Sequence, residues 1–406
     1  MKILFVTAHA PFPTHTGSGQ RSNLIYRALS RLGDVKTITL ESSDAFTELE
    51  LSVLRTDFGL VGTGPVTSLG STGIWGYLYR FFPKVANSIA HNLDGSRSRF
   101  KPDHALIDRL DIATLLDECD VVVGRYAHSL TRLGLIGTGK PTYLDIDDLP
   151  SDIYQSRLNI TPNRFERFLL YRHYINLKQR QQDIFTQLDG SWIVNPDDVS
   201  IVGLDKAVYL PNIPFENPGE SIERLPISEG NYAVASIAAY KHKPNIEGVQ
   251  WFLDNVWPTV YQEMPDASFL IYGSNLDHDI SKKWYSYQGV KVVGFVEKIE
   301  DAYATCCLTI CPVLRGAGTN IKVVESGAHG RNCIMTSFAA RGYSTSSSMA
   351  KHLWVAQDAA EMADKILYLL KNRDENIRTA SEFADVVSEN YSVNSFESTV
   401  RQLLKA

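Results

Sequence analysis

"CPVLRGAGTNIKVVESGAHGRNCIMTS", residues 311–337, joins an apolar run ending at Pro312 to a second one at "CIMTS" through a glycine-rich turn and a helical segment. The spacing predicts a strand over 308–312 and a helix over 320–329. Gly316, Ala317 and Gly318 are small enough to let the backbone approach a ligand, and the N–H groups at Thr319, Asn320 and Ile321 open the helix and favour an anion. Arg315 carries a guanidinium suited to bidentate phosphate contact. Lys322 and Glu325, three apart, share a helix face, while Ile321, Val324 and Ala328 take the apolar side. A carboxylate repels phosphate but accepts hydrogen bonds from paired ribose hydroxyls, so the stretch asks for a sugar-bearing diphosphate. A tight turn with a surface Lys–Glu pair is the plain alternative.

Outward from this turn, strands and helices alternate. "KILFVT" is a continuous apolar run, as in a strand buried on both faces, and a helix with Leu24, Ile25, Ala28, Leu29 and Leu32 at helical spacing stops at Gly33. "VKTITL", "DVVVG" (120–124), "PTYLDID" (141–147) and "GSWIVN" (190–195) read as further strands, with a long helix within 163–188. "YLPNIPFENPGESIERLPISEG" (209–230) holds four prolines and reads as a linker. The pattern then restarts with "YAVASIA", a helix around 245–262, "ASFLIYG", "VKVVGF", "LTICPV", the opening turn, "CIMTS" and "LWVA", and ends in helices from about 358 to 405. The fold class is therefore α/β, with two Rossmann-like, doubly wound parallel-sheet domains over 1–208 and 209–390. A terminal helix over about 391–406 is expected to cross back to the first domain. In such sheets ligands bind beyond the carboxyl ends of the strands, and two facing sheets make a cleft.

Composition narrows the function classes. The formal net charge of -6 argues against a nucleic-acid partner. The cysteines at 119, 306, 307, 311 and 333 form no CxxC pair and no even framework, so buried reduced thiols are expected. The start, "MKILFVTAHAPFP", is too short for a signal peptide, and no window approaches a membrane span, which points to a cytoplasmic protein.

In the first domain, Gly17 and Gly19 precede a helix with Arg21 in its first turn. With Ser22 and Glu41 they resemble a dinucleotide fingerprint, but about nine residues separate Thr7 from Gly17, where that fingerprint has its glycine directly after the strand. Asp145 and Asp147 form a D-x-D on one strand face. A metal pair is geometrically allowed there; acceptor contact or helix capping by Asp147 and Asp148 is the preferred reading. Arg125 and His128 follow a strand, and His9 and His15 flank the first loop; each histidine can equally be structural. "IWGYLYRFFPKV" (74–85) mixes aromatics with Arg80 and Lys84 and can rest on a membrane surface or be a covered aromatic segment.

The whole series resembles the large retaining group of GT-B glycosyltransferases called family 4. The matching features are "HTGSGQRSN" (15–23), "LPNIPF" (210–215), "KPNIEGVQWFLDNVWP" (243–258), "ASFLIYGS" (267–274), residues 290–330 and "NYSVNSF" (390–396). The resemblance implies transfer of a sugar from a nucleotide diphosphate sugar to a glycan or lipid-linked glycan, with retention, no cofactor and no obligatory metal. It makes Glu325 the second glutamate of the E-x7-E motif, holding the ribose. Ala317 stands where the first would be, a departure shared by a subgroup whose turn reads G-x-G-T-x-I-K. That leaves open which groups hold the transferred sugar, for which the N–H groups near 318–321 can serve.

Lys241, with His242 and Lys243 as competing choices, lies near the family's basic residue for the diphosphate, and Lys322 or Arg315 is the second cation. The resemblance thus implies catalytic roles for Glu325, Lys241, Lys322 and His128. It implies donor contacts from Gly17, Gly19, Arg315, Gly316, Gly318, Thr319, Asn320, Ile321 and Glu325, and acceptor-side placement of Arg21, Arg125 and Asp147. The expected location is the cytoplasm, with the inner membrane face as an option through 74–85. A nucleotide-sugar isomerase of the 2-epimerase kind and a non-catalytic partner subunit are the rival readings.

Overall fold

The structure, a computed structural model, describes residues 1–14, 16–64, 100–147, 149, 151, 154–155, 158, 163–196, 207–214, 222–316, 318–343 and 347–405. The aromatic segment 74–85, His15, Asp148 and Ala317 lie outside the described residues. The chain divides into a first unit, Met1–Leu210 with Phe396–Ala406, and a second unit, Pro211–Ser395.

Among the described residues, the first unit holds a seven-stranded sheet of β1 (Lys2–Thr7), β2 (Asp34–Ser42), β3 (Leu60–Gly64), β4 (Val121–Arg125), β5 (Thr142–Ile146), β6 (Gly190–Ile193) and β7 (Ala207–Tyr209). Their order is β3-β2-β1-β4-β5-β6-β7, parallel throughout. β1 and β4 are central and fully covered, which is why "ILFV" and "VVV" run without polar alternation. The helix Gly17–Ser30 takes in Gly17 and Gly19, expected to precede it, because Thr16 caps it, accepting from the Gly19 N–H at 3.1 Å. The helix Val393–Lys405 carries the chain's last residues into this unit. There the Phe396 ring lies 5.4 Å from the Arg21 guanidinium carbon, and buried Glu397 pairs with Arg31. β3 and β7 escape a reading of the sequence, since "LVGTG" and "AVY" are short and carry no periodic pattern.

The second unit holds a six-stranded parallel sheet: β8 (Ala233–Ile237), β9 (Ser268–Tyr272), β10 (Val290–Gly294), β11 (Leu308–Cys311), β12 (Asn332–Thr336) and β13 (Trp354–Ala356), in the order β10-β9-β8-β11-β12-β13. Val234, Phe252, Phe269, Leu308, Ile310 and Ile334 belong to its apolar core. The single helix expected around 245–262 is two, Lys243–Asn255 and Trp257–Glu263. Pro258 has no N–H to continue the ladder, and restarting at Trp257 puts it in a first turn, where none is needed. The helix after the opening turn runs Lys322–Ala328 and buries Val323, Val324, Ser326 and Gly327 rather than the expected face of Ile321, Val324 and Ala328. It packs on β11 and β12 and also against the helix Arg373–Asn390, where a Cβ on Gly327 would lie 2.7 Å from Val387 and 2.9 Å from Phe383. All five cysteines are free and buried. Among the described residues, no helix is long and apolar enough to cross a membrane.

One glycine sets the spacing between two loops at the carboxyl edge of the second sheet. A Cβ on Gly248 would stand 2.5 Å from the Pro312 carbonyl oxygen, so the helix Lys243–Asn255 can lie against the end of β11 only without a side chain there. Gly248→Ala should therefore destabilise the protein by about 1–3 kcal/mol, the clash outweighing the roughly 1 kcal/mol gain in helix propensity. Urea denaturation checks the sign.

Candidate functional site

In each sheet the strand order turns back beside the unit's first strand, between β1 and β4 in one and between β8 and β11 in the other. Successive strands on the two sides of that point are wound in opposite directions, so the loops leaving their carboxyl ends part and leave a crevice. The predicted site residues follow these four strands and β5.

In the second unit the opening turn leaves β11 and is fixed from outside. Thr336 donates its hydroxyl to the Val313 carbonyl, Tyr343 donates to the Asn320 carbonyl at 3.1 Å, and the Asn212 amide donates to Thr319 Oγ1 at 3.3 Å. Gly316 and Gly318 have φ of +150° and +66°, conformations that side-chain-bearing residues avoid. The loop after β8 brings Lys241, His242 and Lys243, all exposed, to the same edge. Two side-chain pairs clamp this loop's helix to the turn. Lys322 Nζ donates to Asn245 Oδ1 at 2.9 Å, and Asn245 Nδ2 donates back to the Ala239 carbonyl at 2.8 Å. Arg315 forks onto Glu247, Nε to Oε2 at 2.7 Å and Nη2 to Oε1 at 2.5 Å. Reading the sequence assigned no part to Asn245 or Glu247: partners 77 and 68 residues away leave no local signal.

Charge is concentrated here. Desolvation first, then the charges of Lys241 and Lys322, hold the His242 imidazole below its ordinary pKa. Glu325 is half-buried, and its carboxyl accepts no hydrogen bond from the described residues. Burial pushes its pKa up to about 7, with Lys322 pulling the other way. Its charge also reaches Tyr303 and Tyr343, buried phenols held well above their usual range chiefly by desolvation. A desolvated carboxyl beside Lys322 can accept from neighbouring hydroxyls, and the charges of Lys241 and Lys322 around His242 suit an anion. Neither helix start, at Lys243 or Lys322, has a side-chain cap.

In the first unit the corresponding edge is built on Asp145, fully buried at the end of β5. Arg21 donates to it through Nε at 2.9 Å and Nη2 at 2.6 Å, and Arg125 through Nε at 3.2 Å; both guanidiniums are buried. Burial works against the Arg21 charge, and Asp145 together with Asp147 and Tyr126 more than offsets it, so its pKa stands above the ordinary value. Arg125 also donates to the Ser18 carbonyl at 2.5 Å and to Asp147 Oδ2 at 2.7 Å. Tyr126, at φ +65°, donates its hydroxyl to Asp147 at 3.1 Å and stacks its ring 4.8 Å from the Arg125 guanidinium.

The two aspartates thus share one face, as alternation requires, and what they hold is arginine. Asp147 keeps partial exposure, and the half-buried His128 ring lies 5.8 Å from that of Tyr126. Gly17 is exposed at the helix start. Gly19 is buried, with a Cβ there reaching 3.0 Å from the Pro13 carbonyl. Glu41 receives the Ala10 N–H at 2.7 Å and His9 Nδ1 at 3.3 Å, so it braces the first loop.

Residues 232–372 match the family described as Glycosyl transferases group 1. An uncharacterized 44.6 kDa protein in the cps region of Klebsiella pneumoniae is 23% identical over 247 residues, a match spanning 59% of this chain and 62% of that protein. Among solved structures, Anabaena Alr3699/HepE in complex with UDP superposes with a TM-score of 0.64 at 14% identity, over 100% of both chains. A mutant of S. aureus TarM in complex with Fondaparinux, alpha-GlcNAc-glycerol and UDP gives 0.63 at 10% identity, again over 100% of both. The fold of this chain is GT-B.

Two variants probe the two edges. Asp145→Ala removes the carboxylate that two buried guanidiniums share and should cost about 3–5 kcal/mol in chemical denaturation. For Glu325 the sign follows from a folded pKa near 7 against an ordinary 4.5. Below the lower value both states are protonated; between the two only the unfolded chain ionises, so stability falls as pH rises through that window, by at most the order of 3 kcal/mol. Glu325→Gln should be neutral at the acid end and increasingly stabilising relative to wild type up to about pH 7, as read from denaturation midpoints.

Proposed function

From a GT-B chain with a group 1 glycosyltransferase domain over residues 232–372, we infer that the protein moves a sugar from a nucleotide diphosphate sugar to a glycan or lipid-linked glycan. What supports this reading most is the charge of Lys322 acting on the desolvated Glu325, and those of Lys241 and Lys322 acting on His242, on the loops where the strand order reverses between β8 and β11. A diphosphate needs cations and N–H groups; a ribose needs an acceptor for two hydroxyls. That edge offers both. UDP in the HepE and TarM complexes makes a uridine nucleotide the first candidate.

In this reading Lys241 and Lys322 neutralise the charge that builds on the leaving diphosphate, and Glu325 fixes the ribose. Backbone N–H groups over 318–321 and the Thr319 hydroxyl face the transferred sugar. Asn245 and Glu247 are positioning residues, since they hold Lys322 and Arg315 in place before substrate arrives. Fixed charges of this kind lower the barrier because they need no reorganisation as the bond breaks. On the acceptor side, Arg21 and Arg125 shape the loop through Asp145, leaving Asp147 and His128 to meet hydroxyls. Transfer with retention, independence from a metal and a place in polysaccharide or glycoconjugate assembly complete the proposal.

Thermal unfolding against UDP, other nucleotides and nucleotide sugars, with and without EDTA, tests the donor site. A ligand at about a hundred times its Kd adds roughly 2.7 kcal/mol of stability. The expected result is a selective, EDTA-insensitive rise that Glu325→Ala abolishes. Ribose hydroxyls donate to ionised carboxylate, so binding releases a proton and affinity should increase with pH up to about 7 in wild type but not in Glu325→Gln. No rise with any nucleotide would refute the donor site and leave the non-catalytic subunit reading. Conversion of a nucleotide sugar without an acceptor would identify an isomerase instead.

A further inference from the structure

The helix Arg164–Phe185 of the first unit is apolar on two sides. His173, Leu177, Gln181, Ile184 and Phe185 form its buried side. At 3.6 residues per turn, Phe165, Phe168, Tyr171 and Ile175 fall within an arc of about 120° that points the other way. They are 71%, 54%, 53% and 43% exposed. A helix packed through one face is expected to be polar on its outer face, and here the outer face of the first three turns places two phenylalanines, a tyrosine and an isoleucine in water. Arg164 and Arg172 project into the same arc and Arg167 beside it, all exposed. Glu166 projects about 160° from Phe168, and the helix's other acid, Asp183, lies beyond the stripe and accepts from Gln179 at 3.1 Å.

We propose that this face, Arg164 to Ile175, docks the protein on an anionic phospholipid surface, with the aromatic rings entering the headgroup–acyl boundary and the arginines reaching phosphate. Aromatic and aliphatic side chains interleaved with cations are what an interfacial helix needs: the apolar stems gain burial while the guanidiniums stay at headgroup level. The charge pattern selects this occupant over a second copy of the chain. Two copies pairing through the stripe would bring Arg164, Arg167 and Arg172 of each against the same cations of the other. The protein as a whole carries a formal charge of -6, so attraction to an anionic surface has to come from a local patch such as this one. The proposal is independent of the transferase reading.

The test is co-sedimentation of the full-length protein with vesicles of phosphatidylcholine alone or mixed with phosphatidylglycerol, at low and high salt. Binding is expected only to the mixed vesicles and weaker at high salt. Phe165→Ser with Phe168→Ser should reduce partitioning on the order of tenfold or more. Reversing Arg164, Arg167 and Arg172 to glutamate should reduce it roughly a hundredfold or more, each lost cation being worth about 1 kcal/mol. F168W adds a readout independent of the double variant's folding: its emission should shift to the blue on mixed vesicles. Failure to bind mixed vesicles, equal binding by the variants, or an unshifted F168W spectrum would overturn the proposal. So would a dimer that the serine variants dissolve, since the stripe would then belong to a second copy.

Discussion

Every strand pair in both sheets is parallel. A parallel pair cannot be closed by a hairpin; the chain must cross over, usually through a helix, before it re-enters the sheet. Every strand therefore delivers its following loop to one edge of the sheet. The rest of each unit's chemistry hangs on that constraint. It is why the loops after β8 and β11, about 70 residues apart in sequence, can share Lys322 and Asn245. It is equally why the loops after β1, β4 and β5 can share Asp145.

What the constraint does not supply is precision, and the two units obtain it from charge pairs. Burying two arginines on Asp145 is a poor way to gain net stability, since desolvation consumes most of the attraction. It is a good way to hold the Ser18 carbonyl, Tyr126 and Asp147 in a single arrangement. The same reasoning applies to Arg315 on Glu247, half-exposed and bidentate, whose value lies in geometry more than in free energy. The positive φ at Tyr126 fits this picture, because a strained tyrosine persists only where its neighbours over-determine it. Glu325 departs from that pattern. It bears the desolvation cost without a hydrogen-bond donor among the described residues, and Lys322 offsets only part of it. Such a group is poorly matched to the free protein and well matched to a ligand that brings hydroxyls. It feels the charge of Lys322, a cation suited to a ligand that brings phosphate. The two demands together are narrower than either alone.

The sequence by itself determined the fold class and most of the elements. Continuous apolar runs such as "ILFV" and "VVV" mark strands covered on both faces, and their alternation with helical spacing leaves little but a parallel α/β arrangement. It also marked the turn after β11 as a candidate site, because glycines, a cation and a carboxylate lie within one short stretch and their spacing is local. Where no periodicity exists, as in "AVY", strands were illegible, and a proline broke the helix at 256 that apolar spacing alone would have continued.

Only the tertiary structure decided the partners. Asp145 and Asp147 read as a possible metal or acceptor pair, and it took the approach of Arg21, 124 residues away, to turn Asp145 into a buried anchor. Likewise the sequence places a long helix within 163–188 without saying which side packs; the fold buries His173, Leu177, Gln181, Ile184 and Phe185 and leaves Phe165 and Phe168 exposed. Periodicity fixes which residues share a face, because that depends on backbone geometry alone. Which face is covered, and by what charge, depends on contacts between residues far apart in the chain, and no local pattern encodes them.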